Sequence, residues 1–144
     1  MANFTGAAQA NAVAAPPVNS PPSTQAGRVR VFYDSYTSVA ADDVANLDTI
    51  TFGAEVIPLG ARILSCDMTW EAMGGTSVIG AVTCGGTTLI ATTGDMNGAL
   101  TDAMDTKFVA VTTSAGYPIL TFSTFTADWT DAKTIQILIT YVID

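Results

Sequence analysis

Residues 62–70 read RILSCDMTW, and this stretch decides the fold class. Leu64, Cys66, Met68 and Trp70 occupy every second position, with Ser65, Asp67 and Thr69 between them. A period of two puts the two sets on opposite sides of an extended chain, whereas a helix would scatter them around its circumference. The stretch therefore predicts a strand with Leu64, Cys66, Met68 and Trp70 toward a core. Gly74-Gly75 follows as a stop signal.

The same pattern extends in both directions. Upstream, residues 48–52 (DTITF) place Ile50 and Phe52 on one face, and residues 29–36 open a strand in which Val29 and Val31 alternate with Arg30 and Phe32. Downstream, residues 77–84 and 87–92 flank Gly85-Gly86, a pair suited to a two-residue hairpin turn. Residues 107–112, 119–126 and 134–142 complete about eight strands. No helical period is sustained beyond Arg28, one turn over residues 96–104 being the single candidate. Short strands separated by Gly, Pro, Asp and Asn predict an all-β, antiparallel β-sandwich or jelly-roll-like domain. Without crossover helices a parallel α/β fold is excluded. The 144 residues suit one such domain, and the closing strand leaves no C-terminal appendage to expect.

Composition changes abruptly at Arg28, dividing the chain into an arm of residues 1–27 and a β domain of residues 28–144. The arm carries no charge, eight alanines and four of the six prolines. Pro16, Pro17, Pro21 and Pro22 remove backbone donors and favour extended conformations over a helix or central strand. Alone, such a segment buries too little apolar surface to offset its ordering entropy. Fully extended it reaches roughly 90 Å, at about 3.3 Å per residue, enough to cross a neighbouring subunit. Phe4, Val13 and Val18 are its largest side chains. Together with the four prolines they are the candidate partner-binding residues.

Hydrophobic residues make up 49% and charged residues 12% of the chain, against roughly 25% charged in an average domain. So little charge implies a surface largely covered by partners. No stretch approaches the ~18–20 apolar residues of a spanning helix. The first 27 residues lack the basic start of a secretory signal, so neither membrane nor export signal is expected. The net charge is −8, with Arg28, Arg30, Arg62, Lys107 and Lys133 the only basic residues. Phosphate is repelled by such a chain, which argues against a nucleic-acid partner.

Little in the sequence points to catalysis. Histidine is absent, which removes the commonest general base and any Cys/His zinc constellation. Cys66 and Cys84 read as two buried thiols, with a cross-strand disulfide as the alternative. Lys107 and Lys133 stand at strand starts and read as surface residues. Asp42-Asp43, the trio Asp95, Asp102 and Asp105, and the pair Asp128 and Asp131 could be paired carboxylates, but loop aspartates more often hydrogen-bond their own backbone in turns. Residues 95–98 (DMNG) begin like a calcium loop, yet the glycine is misplaced and the bidentate glutamate missing. No enzyme, cofactor or metal is expected. Trp70 is in phase with the core. Trp129, in TADWTDA, is either an interface anchor or a plug at one end of the sandwich.

The opening RVRVFYDSYT (residues 28–37), the stretch EVIPLGARILSCDMTW (residues 55–70) and the closing IQILITYVID (residues 135–144) together resemble the decoration, or cement, proteins of tailed-bacteriophage capsids. The resemblance implies a β-sandwich bound to the outside of an icosahedral shell, often as trimers. Its implied partners are the major capsid protein and neighbouring copies, clamped by extended arms. Other virion parts (a head fibre, a tail component, a small jelly-roll coat protein) form the second reading. A carbohydrate-binding sandwich using Trp129 is the third.

Overall fold

The period-two runs pair into two facing sheets in the computed structural model, which describes residues 3–6, 29–39, 47–74, 78–104, 109–125 and 132–143. The strands are β1 (Asn3–Thr5), β2 (Val29–Thr37), β3 (Thr49–Thr51), β4 (Arg62–Trp70), β5 (Val78–Cys84), β6 (Thr87–Ile90), β7 (Leu100–Ala103), β8 (Val109–Ala110), β9 (Pro118–Phe125) and β10 (Thr134–Val142). No described residue is helical. One sheet has the order β2-β10-β4-β7, with β8 also on β4; the other runs β1-β3-β9-β5-β6. With β1 and β8 set aside, eight strands remain. Counted along the chain, they order first-eighth-third-sixth in one sheet and second-seventh-fourth-fifth in the other. That is the jelly-roll order of a double-sheet sandwich.

The core is the seam between the sheets. Cys66, Met68, Trp70, Ile135, Ile137 and Ile139 from one sheet meet Ile50, Phe52, Val78, Val82, Leu120 and Phe122 from the other, all buried. On β10 the alternation is complete: Ile135, Ile137, Ile139 and Tyr141 are buried while Gln136 and Leu138 are exposed. Met73, Met96 and Met104 join the same cluster from loop positions, where a flexible thioether fills irregular space. The β5–β6 hairpin closes through Gly85 (φ 54°) and Gly86 (φ 80°). Two successive positive φ values are what a primed two-residue turn requires and what glycine adopts without steric cost.

Three expectations change. Leu64 does not face the core. Thr140 pairs with Ser65 and Tyr141 with Ile63, so Leu64 is the extra residue of a β-bulge. The alternation reverses there: Ile63 is fully buried and Leu64 only half-buried. The turn expected over residues 96–104 is instead a loop followed by β7, whose Thr101 and Asp102 pair with Thr69 and Met68. Met96 and Met104 are tied at its two ends by extended backbone bonds, Met96 N to Val78 O (2.8 Å) and Met104 N to Cys66 O (2.9 Å). Finally, the first residues of the segment read as an arm are part of a sheet, since Asn3, Phe4 and Thr5 pair in parallel with Thr49, Ile50 and Thr51.

The bulge gives a sharp test. Ile63→Ala should cost about 2–5 kcal/mol, the usual range for emptying a buried aliphatic site. Leu64→Ala should cost clearly less, although an uninterrupted alternation from Trp70 predicts the reverse. Chemical denaturation of the two variants decides between the registers.

Candidate interaction surfaces

Asp34 organises one open side of the sandwich. It lies on the inward face of β2, is 3% exposed, and must find donors because a buried carboxylate without them is costly. Oδ2 accepts from Gly53 N (2.7 Å) and Oδ1 from Ser35 N (2.8 Å). The first of these bonds ties the end of β3, in one sheet, to β2 in the other. Gly53 has φ 94°, and a Cβ there would collide with the Phe32 ring, so the close approach requires glycine.

β1 sits over this junction. Phe4 is half-buried and packs at 6.0 Å between ring centroids against Tyr36, with a 58° tilt, an edge-to-face type of aromatic contact. Gly6 N donates to Thr51 O (2.6 Å). A Cβ on Gly6 would lie 2.8 Å from Asp34 Cγ and 3.0 Å from Phe52 Cδ1, so the site admits no side chain. Phe4 is thus an anchor, here on its own chain's sandwich. Val13, Pro16, Pro17, Val18, Pro21, Pro22 and Trp129 lie outside the described residues.

The outer face of the β2–β10 pair is the second surface. Val29, Val31 and Tyr33 are 54%, 56% and 56% exposed, and Leu138 is 40% exposed. Tyr33 lies directly opposite Leu138, and Val29 opposite Val142, so these side chains form one apolar stripe. The bulge adds half-buried Leu64 from β4. Sequence reading missed this stripe because the core face of β2 carries Arg30 and Asp34 while the outer face carries the valines, the inverse of the usual pattern. Among the described residues no strand pairs with the free edge of β2, and inward-pointing charge is a known device for discouraging edge pairing.

The remaining candidates among the described residues have structural contacts. Asp95 Oδ1 accepts from Val78 N (2.9 Å) and Asn97 N (3.2 Å), and Asp102 accepts from Gly94 N (2.9 Å) and Ala103 N (2.8 Å). Asp95 is a turn aspartate, whereas Asp102 stands on β7 and ties the Gly94 loop to it. Asp42, Asp43, Asp105, Lys107, Asp128 and Asp131 lie outside the described residues. Lys133 precedes β10, its N–H donating to Ser38 Oγ (3.0 Å). Trp70 is buried, with Nε1 donating to Gly98 O (2.9 Å). It forms part of the wall of a shallow groove of about 350 Å³, shared with Thr69, Glu71, Ala99, Thr134 and Gln136. Among the described residues no three Cys, Asp or Glu side chains gather as a metal site, and no helix is long and apolar enough to cross a membrane.

Cys66 and Cys84 are buried free thiols on facing sheets, not cross-strand neighbours, and Cys84 Sγ donates to Gly116 O (3.3 Å). Burial pushes the Cys66 thiol up to about 12, with the Asp67 charge and Cys84 adding to it. Burial alone pushes Cys84 up to about 11.

No protein-family model and no curated protein matches the chain. Chains of two phage capsids are among the solved structures that share the fold. A chain of the capsid of Ralstonia phage GP4 superposes with a TM-score of 0.70 at 18% identity, over 99% of this chain and 99% of that one. A chain of the cyanophage Pam1 capsid asymmetric unit superposes with a TM-score of 0.61 at 17% identity, over 91% and 96%.

The thiols predict a pH dependence. Unfolded thiols ionise near 9.0, whereas the folded ones stay neutral until about 12 and 11. The stability they contribute is complete below pH 9 and is lost as pH rises toward those folded values. Denaturant midpoints should hold steady up to pH ~8 and fall above 9. The wild-type fall should be steeper than that of Cys66→Ala.

Proposed function

We propose that the chain is a structural protein of a phage virion, a capsid decoration protein that binds the outer surface of the shell. The carrying observation is the full-length match of a ten-strand sandwich to a chain of a phage capsid, at 99% coverage on both sides. Three properties of this chain support the decoration role. The exposed stripe of Val29, Val31, Tyr33 and Leu138 is an apolar surface of the kind that marks a contact site. The net charge of −8 suits a position facing solvent, not packaged nucleic acid. The uncharged arm can follow a neighbour's surface without desolvating ions, and a second attachment point through it makes rebinding effectively intramolecular. The proposed partners are the major capsid protein and further copies of this chain, in trimers on the capsid exterior. Contact and not catalysis is the proposed role.

A second reading has one observation in its favour: jelly rolls also build viral shells themselves, so the chain could be a small coat protein. Light scattering coupled to size-exclusion chromatography separates the two. As a decoration protein the purified full chain should run as a discrete small oligomer. The pair Tyr33→Lys and Leu138→Lys should weaken its self-association or shell binding while shifting stability by no more than about 0.5 kcal/mol per site. A shell-sized particle formed by the chain alone would establish the coat role instead.

A further inference from the structure

The open edge of β2 leaves backbone groups unbonded over one short stretch. Ser38 N donates to Lys133 O (2.8 Å), and the register continues from Tyr36 opposite Ile135 to Arg30 opposite Tyr141. Even-numbered residues of β2 therefore bond to β10, and the N–H and C=O groups of Val29, Val31 and Tyr33 point the other way. Among the described residues no strand meets them. Ser35 differs, because its N–H is closed off by Asp34 Oδ1 (2.8 Å). Residues 29–33 are thus the part of the edge on which another strand could ladder.

The side chains of that stretch are unfinished on both faces. On the outer face Val29, Val31 and Tyr33 are each more than half exposed. On the inner face Arg30 is half-buried, and its Nε is buried without a hydrogen-bond partner. A buried guanidinium donor that lacks an acceptor is costly, and a carboxylate is the acceptor whose geometry suits it. A strand laid along this edge would set alternate residues beside Val29, Val31 and Tyr33 on the outer face. The residues between them would stand on the inner face beside Arg30 and Phe32. Free backbone donors, an apolar stripe and an unpartnered cation then all meet one ligand.

We propose that residues 29–33 are a docking edge for an extended segment of another protein, which joins the sheet beside β2 and presents one carboxylate to Arg30 between two apolar side chains. Strand addition of this kind draws affinity from the backbone ladder and selectivity from alternate side chains. The inward charge keeps its usual effect of rejecting strands at large, and that rejection is lifted for a segment carrying the opposite charge. One carboxylate suffices, since an acidic run would be repelled by a chain of net charge −8. A second copy is a poorer match. The carboxylate on its β2, Asp34, is 3% exposed and already accepts from Gly53 N and Ser35 N. The proposal goes beyond the decoration reading, because it fixes what the partner must present and needs no shell.

The test selects displayed random peptides on the immobilised full chain. Enriched peptides should carry apolar residues at alternating positions with one Asp or Glu between them. With Arg30→Met as the target, the apolar alternation should persist while the acidic preference falls about tenfold, the worth of one charge-assisted hydrogen bond. With Val31→Pro as the target, enrichment should vanish, because proline removes an edge N–H. That N–H is not used by β10, so the thermal transition should stay in place. No enrichment on the wild-type chain, an acidic preference that survives Arg30→Met, or peptides retained by Val31→Pro would each overturn the proposal. Light scattering covers the other occupant. A wild-type oligomer that Val31→Pro dissolves and Val31→Ala does not would show that a second copy fills the edge, and the assignment to another protein would fall.

Discussion

A carboxylate held between two sheets constrains this molecule more than any one apolar contact. Asp34 is buried on β2 and accepts the Gly53 N–H that follows β3. The edges of the two sheets therefore cannot separate without stranding a charge and a backbone donor. That bond explains why Gly53 must lack a side chain, why Phe32 can lie across it, and why Gly6 is the only residue type that could close over the same spot. The socket for β1 is a by-product of satisfying Asp34.

Much of the fold was legible because residues 66–70 of β4, together with β5 and β10, keep a period of two, and the glycine pairs at 74–75 and 85–86 mark where β4 and β5 stop. β10 alone, IQILITYVID, signals its buried face through Ile135, Ile137 and Ile139. What could not be read depends on pairing between distant strands. The bulge at Leu64 exists because Tyr141 must meet Ile63, a constraint set by a strand some eighty positions away. β7 was hidden because Met96 and Met104 are spaced like one face of a helix, while tertiary bonds at both ends hold the backbone extended.

The candidate surfaces were less legible than the fold, for a related reason. Phe4 stood out as an apolar residue in an uncharged segment, and in the structure it packs on Tyr36 of its own chain. The stripe on β2 did not stand out, since alternation alone does not say which face is inward, and here the inward face carries Arg30 and Asp34 while Val29, Val31 and Tyr33 are exposed. The low overall charge accords with an exposed apolar stripe, but composition cannot say which face carries it. The loop aspartates were read as backbone-bonding residues, and Asp95 and Asp102 do accept backbone N–H groups.

The jelly-roll order also governs when this domain can form. β10 lies between β2 and β4 in its sheet, so residues 134–142 are the last part of the sandwich to be synthesised and yet fill its middle. Until they leave the ribosome, β2 and β4 face an empty slot with their backbone groups unpaired, and the inner faces of both sheets are wet. Such a chain cannot mature strand by strand as it emerges. It must wait and then close across almost its whole length, which is slow by the measure of sequence separation between contacts. Late closure of this kind lengthens the time over which unpaired strand edges and apolar faces stay exposed.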